Sequence, residues 1–340
     1  MSRVVTFGEL MLRLAPEGYD RLFQNGRMEA TFGGAEANVA VSLANFGLES
    51  RFVTKLPTHE VGQAAVNSLR SFGVDTSQIV RGGERVGIYF LEKGASQRPA
   101  LCVYDRANSA IQTAQPEEFD WDTILQDADW FHFTGITPAL GENLAALCLR
   151  ACMVAKERGI LVSCDLNYRQ KLWSQAEARR VMGDLFRYAD VCIANEWQAG
   201  ELFCSQDGKT RERNDENQKE RARAVAEQLA ARFGFQRVAL TCRRSFSADD
   251  NEFSGMLYDG REFCFSREYR LHMVDRVGGG DAFAAGLIYA LLHDMPARDS
   301  IEFATAAGAL KHSVNGDYNR VSVREVEALA WGDGAGSIRR

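Results

Sequence analysis

In the stretch VDRVGGGDAFAAGLIYALL, Val274 to Leu292, an aspartate, Asp281, follows three glycines, Gly278, Gly279 and Gly280, and precedes an apolar, alanine-rich run. A helix that begins at such a turn carries no side chains over its first backbone N–H groups. Together with the positive end of the helix, those groups make a hole for an anion. A carboxylate does not bind phosphate. One placed at this mouth is suited to take a proton from a hydroxyl that attacks the phosphorus. A plainer reading has the same local pattern, a glycine turn with Asp281 as a helix cap. The stretch is neither a Walker loop, which needs Lys followed by Ser or Thr, nor the GxGxxG of a dinucleotide fold.

The elements that must position this turn alternate in type. Val4–Gly8 reads as a strand, and a helix follows in GGAEANVAVSLANFG with Val39, Leu43 and Phe46 on one face. Arg51–Leu56 reads as a strand and Glu60–Val74 as a glycine-stopped helix. The rhythm is that of a parallel sheet covered by helices. It breaks at RVGIYFLEKG and RPALCVYDR, two strand-like runs joined without a helix, which imply a small separate sheet placed as a lid. It resumes with strands at Trp130–Phe133, Ile160–Asn167 and Ala189–Asn195, and a helix over Leu144–Arg158. The nearly all-polar segment Ser205–Arg221 reads as an exposed loop leading into a helix over Ala222–Phe233. Arg237–Cys242 is a further strand, followed by two short strands around the turn Asp259–Gly260. The remainder reads as helical, broken at Asn315–Asp317, and the end, WGDGAGSIRR, as a frayed tail.

A chain of 340 residues, 46% of them hydrophobic, suffices for one large α/β domain with a small appendage. The net charge of -6 is mixed along the chain, so nothing favours nucleic acid or an anionic membrane as a partner. MSRVVTFGEL lacks the apolar core of a signal peptide, and no apolar run is long enough to span a bilayer. A cytoplasmic enzyme is the expected class. The eight cysteines, including the helix-spaced Cys148 and Cys152, read as buried thiols rather than metal ligands.

DRVGGGDAFAAG resembles the signature D-T-x-G-A-G-D of ribokinase-like (PfkB-type) carbohydrate kinases, with Arg276 for the usual Thr and Gly279 for the usual Ala. TFGELMLRLAP and FGGAEANVAVSLANFG resemble the first strand and the Gly-Gly-x-x-x-N-x-A signature of the same family, so the likeness runs from Val4 to Ser322. It implies a three-layer α/β/α sandwich with a small β-sheet lid, sugar between the two, and ATP across the carboxyl ends of the strands. The kinase domain would cover residues 1–322, its lid drawn mainly from about 9–32 and 85–106, with a C-terminal helix and tail over 323–340. The family's base carries over onto Asp281 and its anion hole onto Gly278, Gly279 and Gly280.

GELMLRLAP, GIYFLE, VYDRANSA, DLNYRQKLW and LKHSVNGDYN resemble 2-keto-3-deoxygluconate kinases more closely than ribokinases or fructokinases. That likeness implies ATP-dependent phosphorylation of the primary hydroxyl of a 2-keto-3-deoxy sugar acid. The substrate residues implied are Gly34, Asn38, Tyr89, Tyr104, Arg106 and Arg169, with Asp281 at the reacting hydroxyl. Arg106 and Arg169 can each present a planar fork to a carboxylate, and the phenols of Tyr89 and Tyr104 can donate to it. Arg169 can also serve the phosphoryl end. Glu9 stands where other members place a sugar-binding Asp. For the nucleotide, Thr241, Arg243, Gly308 and Asn315 are implied together with Gly278 and Gly280, while His312 reads as a packed helix residue. The family's N-x-x-E motif falls on NEWQ. Asn195 is implied near magnesium and phosphate, and Gln198 can hold a metal-bound water without neutralising the ion. Mg²⁺ is expected to arrive with the nucleotide, with no metal site of the protein's own, and a homodimer formed through the lid is implied. Two other readings remain: a kinase for a neutral ketose such as fructose, or a non-catalytic sugar-acid sensor. A dehydrogenase would need a dinucleotide loop after the first strand, where only Gly8 and Glu9 follow.

Overall fold

The computed structural model describes residues 2–204 and 217–332. The strands and helices run β1 Arg3–Phe7, β2 Met11–Ala15, β3 Glu29–Gly33, α1 Ala35–Asn45, β4 Glu49–Val53, β5 Lys55–Leu56, α2 Glu60–Arg70, β6 Val80–Arg81, β7 Gly87–Glu92 and β8 Leu101–Asp105. They continue with α3 Trp121–Ile124, β9 Trp130–Thr134, α4 Glu142–Glu157, β10 Leu161–Asp165, α5 Gln175–Phe186, β11 Val191–Asn195, α6 Glu196–Phe203 and α7 Gln218–Phe233. Last come β12 Arg237–Ser245, β13 Asp250–Tyr258, β14 Phe263–Phe265, β15 Tyr269–His272, α8 Gly279–Leu292, α9 Ala297–Lys311 and α10 Val323–Trp331.

The main sheet has nine strands in the order β14-β13-β12-β11-β10-β9-β1-β4, with β15 also on β13. From β12 to β4 the strands are parallel, and β13, β14 and β15 close one edge antiparallel. The stretch after the two strands around the Asp259–Gly260 turn, read as helical from its sequence, instead opens with the strand β15. β15 is only four residues long, Tyr-Arg-Leu-His, too short to show an alternation. Of the expected polar loop, residues 205–216 lie outside the described residues, as do 333–340 of the expected tail.

Helices cover both faces of the sheet. One face packs against α4 to α7 through Phe131, Phe133, Leu144 and Phe186, and the other against α1, α8, α9 and α10 through Phe283, Leu287 and Phe303. The result is a three-layer α/β/α sandwich. α8 is apolar nearly all round because it lies between the sheet and α9, and its buried residues include Phe283, Leu287 and Ile288. Burying each of these side chains stabilises the fold by about 1.5–3 kcal/mol. That packing fixes the position of the helix's first turn. The eight cysteines are free, and Cys148, Cys152, Cys164, Cys192 and Cys242 are buried.

A second sheet of four strands, in the order β3-β2-β7-β8, stands apart from the first. Its register puts Arg13 beside Tyr89 and Tyr89 beside Tyr104, in one row. No helix among the described residues is long and apolar enough to cross a membrane.

Candidate active site

Between the two sheets lies a cleft of about 920 Å³, lined at one end by lid residues and at the other by the ends of β11 and β12. Both sheets deliver residues to it: Tyr89 and Tyr104 from the lid, Asp165 and Asn195 from the carboxyl ends of β10 and β11. Ligands in open α/β sheets occupy this end of the strands. The lid hairpin also meets the β12–β13 connection, where the Ser96 N–H donates to Asp249 Oδ2 (2.7 Å) and the Ala248 N–H donates to the Ser96 carbonyl (2.8 Å).

The glycine turn forms the floor. Gly278 caps α8 with φ +82°, in the left-handed region, and a side chain there would meet the Asp317 carbonyl at 2.2 Å. Both constraints require glycine. The helix cannot satisfy the N–H groups of its own first turn, and Gly278 and Gly280 line the cleft there. Gly279 is turned away, its α-carbon against the His312 ring.

Asp281, at the third position of α8, is buried, and its Oδ2 accepts a hydrogen bond from Asn38 Nδ2 of α1 (2.7 Å). The side chain is thus not capping its own helix. Burial pushes its carboxyl up to about 6; the Asn38 hydrogen bond opposes this, the charge of Asp317 adds to it, and those of Arg169 and Lys311 oppose it. The group is a carboxylate at neutral pH and basic enough to accept a proton. Asp165 also lines the cleft and is pushed up to about 7, by burial first and then by the charge of Asp281, with Arg169 opposing.

Arg169 therefore acts on both carboxyl groups. It belongs to the loop after β10, in which Asn167 adopts φ +36°, a left-handed conformation that few non-glycine residues take.

At the β12 end of the cleft Arg243 donates from Nη2 to His312 Nε2 (2.9 Å), while His312 Nδ1 lies 2.6 Å from the Gly308 carbonyl. Burial and the Arg243 charge pull His312 down to about 3, so the imidazole is neutral: Nδ1–H donates to Gly308 and Nε2 accepts from Arg243. Burial and the nearby Arg276 likewise disfavour the Arg243 cation. Among the described residues Arg243 has no carboxylate partner. A guanidinium so placed in a cleft favours an incoming anion.

The model for pfkB family carbohydrate kinases matches residues 1–323. The chain belongs to this family. The kinase is 34% identical to the 2-dehydro-3-deoxygalactonokinase of Haloferax volcanii, with 99% of each chain covered. It is 28% identical to the 2-dehydro-3-deoxygluconokinase of Bacillus subtilis, over 94% of this chain and 93% of that one. The crystal structure of 2-dehydro-3-deoxygluconokinase from Thermotoga maritima superposes with a TM-score of 0.93 at 48% identity, covering 97% of this chain and 98% of that one. The fold is ribokinase-like, and the protein is an ATP-dependent carbohydrate kinase.

Of the residues singled out from its sequence, the kinase brings Gly34, Asn38, Tyr89, Tyr104, Arg169, Asn195, Gln198, Thr241, Arg243, Gly278, Gly280 and Asp281 to one cleft. Arg106, Gly279, Gly308 and Asn315 do not line it. Arg106 lies in an adjoining recess with Tyr104 and Arg169, its Nη2 paired with the Glu9 carboxylate and its guanidinium carbon 5.3 Å from the centre of the Tyr104 ring. Glu9 also accepts from Ser109 Oγ (2.6 Å), so its carboxylate is committed inside the lid. Gly308 packs behind the turn, and Asn315 is exposed, its Oδ1 accepting from Lys93 Nζ (2.6 Å). His312 is packed in its helix as its neighbours suggest. Tyr89 donates its hydroxyl hydrogen bond to Asp317 Oδ1 (2.6 Å), so what it offers the cleft is a lone pair, not the donor its type suggests. Glu196 is buried against Arg221 and does not reach the cleft. Asp165 and Asp317 lie in the stretches DLNYRQKLW and LKHSVNGDYN, and only the fold shows that they face the same space.

Proposed function

We propose that this kinase transfers the γ-phosphoryl group of ATP to the primary hydroxyl of a 2-keto-3-deoxy sugar acid, with 2-keto-3-deoxygluconate the foremost candidate. The observation that carries the reading is the buried Asp281 carboxylate, aimed by Asn38 at the mouth of the helix that opens on Gly278. The names of the two curated relatives and of the Thermotoga structure, all kinases of 2-dehydro-3-deoxy sugar acids, support the substrate class.

In this reading the sugar lies under Tyr89 and Tyr104, beside Gly34 and Asn38, with its acid end toward Arg169. Arg106 backs Tyr104 from the recess. Asp281 takes the hydroxyl proton as the oxygen bonds to the γ-phosphorus; the bond from that phosphorus to the β–γ bridging oxygen breaks, and ADP leaves with the electron pair. The N–H groups at Gly278 and Gly280 hold the charge that builds on the transferring group. Thr241 and Arg243 flank the nucleotide.

Magnesium bound with the nucleotide would neutralise polyphosphate charge. Among the described residues no cluster of three or more His, Cys, Asp or Glu is placed to hold a metal ion. The cleft offers instead the neutral amides of Asn195 and Gln198, which fit water held by the ion rather than the ion itself. Asn195 Oδ1 already accepts the Gln198 N–H at the start of α6 (3.2 Å) and keeps a second lone pair.

A homodimer through the lid belongs to the same reading. β8 is an edge strand, and Leu101 and Val103 on it are exposed apolar side chains that a partner would cover.

The deciding experiment is an ATP-consumption assay against a panel of sugars and keto-sugar acids. Turnover on 2-keto-3-deoxygluconate or its galactonate-derived counterpart, well above that on fructose, is expected. A preference for neutral ketoses overturns the substrate assignment, and no turnover on any sugar overturns the kinase reading.

A further inference from the structure

The lid and the glycine turn are tied together by ion pairs inside the protein. Arg13 lies on lid strand β2 and is 2% exposed. Its Nη1 donates to Asp317 Oδ1 (2.7 Å) and its Nη2 to Asp275 Oδ2 (2.6 Å). Asp317 Oδ1 also accepts a hydrogen bond from the Tyr89 hydroxyl (2.6 Å). Asp275 accepts the N–H of Gly316 at Oδ2 (3.1 Å) and the N–H of Val277 at Oδ1 (3.1 Å). Val277 directly precedes Gly278, and Gly278 packs against the Asp317 carbonyl. One guanidinium therefore links the phenol on the sugar side to the peptides that open the anion hole.

Stability alone does not ask for this arrangement, since well-packed apolar residues often serve as well as a buried ion pair. What the charges add is geometry. A planar fork bonded to two carboxylates fixes the lid strand, the turn before α8 and the turn after α9 at set distances from one another. Lys311, fully buried behind Gly278 and donating to the Val314 carbonyl (3.1 Å), brings the same region to two cations and two carboxylates.

We propose that Arg13 is a positioning residue for phosphoryl transfer, holding the glycine turn in its anion-binding shape through Asp275 and Asp317 when lid strand β2 is seated. Arg13 does not line the cleft, so its contribution passes entirely through other residues. The sugar end and the phosphate end of the cleft are assembled together. This inference rests on the kinase reading and adds to it which residue couples the two ends.

The test compares Arg13→Lys and Arg13→Met with the same changes at Arg51. Arg51 is another buried arginine, held by Asp75 and by the Ile124 carbonyl, each at 2.8 Å, and it does not line the cleft. Turnover on the best sugar of the panel, sugar KM and the Kd of ADP are measured well below every variant's Tm. The expected result for Arg13→Met is a fall in kcat on the order of 10²-fold, the usual result of misplacing reacting groups by about an ångström. Sugar KM and ADP Kd should stay within about threefold, because binding contacts are retained. Arg13→Lys, which keeps the charge but not the fork, should fall between, and the Arg51 variants should lose Tm with kcat nearly intact. Combining Arg13→Met with Tyr89→Phe should cost less than the product of the two single effects, because both act through Asp317.

Wild-type kcat in both Arg13 variants, a loss expressed only in KM, or an equal loss in the Arg51 variants overturns the proposal. Should Arg13→Met fail to fold, Arg13→Lys decides by the same criteria. Wild-type turnover is measured first and tests the kinase reading separately. A kinase that is active but indifferent to Arg13 removes this inference alone.

Discussion

The Asn38 side-chain amide donates to the Asp281 carboxylate at 2.7 Å, joining α1 to α8 across 243 positions of sequence. Asn38 itself is held by its own helix, its Oδ1 facing the Gly34 N–H at 3.3 Å. The carboxylate is thus oriented by a residue that does not titrate. The same bond favours the charged form of the proposed base.

Asp281→Asn keeps the shape of the side chain and removes its basicity. Turnover should fall by about 10² or more, the range lost with a general base, while the Kd of ADP measured by calorimetry stays nearly unchanged. Wild-type turnover in this variant would remove Asp281 from the chemistry. In the wild type the base is needed as carboxylate, so kcat should be level above its pKa and fall as pH drops through about 6.

Asn38→Ala removes the hydrogen bond that favours the charged form of Asp281, and burial then acts with less opposition. The acidic limb of the kcat–pH profile should move to higher pH. A profile shifted down, or not at all, would show that this bond does not set the basicity of the group.

Arg169 reaches both the cleft and the recess behind Tyr104, whereas Arg106 lines only the recess. Arg169→Ala should raise KM for a sugar acid by about 10- to 100-fold, as loss of a charged hydrogen bond of roughly 1.5–3 kcal/mol would do, with little change for a neutral sugar. Arg106→Leu, which removes the support behind Tyr104, should raise KM for acid and neutral sugars alike. It leaves Glu9 buried without its cation, so a fall in Tm is expected alongside. Equal effects on acid and neutral sugars in Arg169→Ala would remove the carboxylate-binding role.

Leu101→Lys together with Val103→Lys places charge on the exposed apolar edge of the lid. Light scattering after size-exclusion chromatography should show a dimeric wild type and a monomeric variant. Both side chains already face solvent in the single chain, so Tm of the monomer should change little. A monomeric wild type would remove the dimer.

The alternation of strands and helices, the separate lid strands and the glycine turn with Asp281 can be read along the chain, because each depends on local periodicity or on residues next to one another. β15 could not be read so. Its four residues are held in place by β13 rather than by their own pattern. The resemblance to the family also points to Asn38, Arg169 and Arg243, without their partners. That the Tyr89 hydroxyl donates to Asp317, that Arg106 is held by Glu9 in a recess, and that Arg13 reaches Asp275 and Asp317 are matters of tertiary structure alone. Arg13 and Asp317 lie 304 positions apart. Residue type says what a side chain can donate or accept, but which partner takes the hydrogen bond depends on distances of about 3 Å that only the packed sheets and helices set.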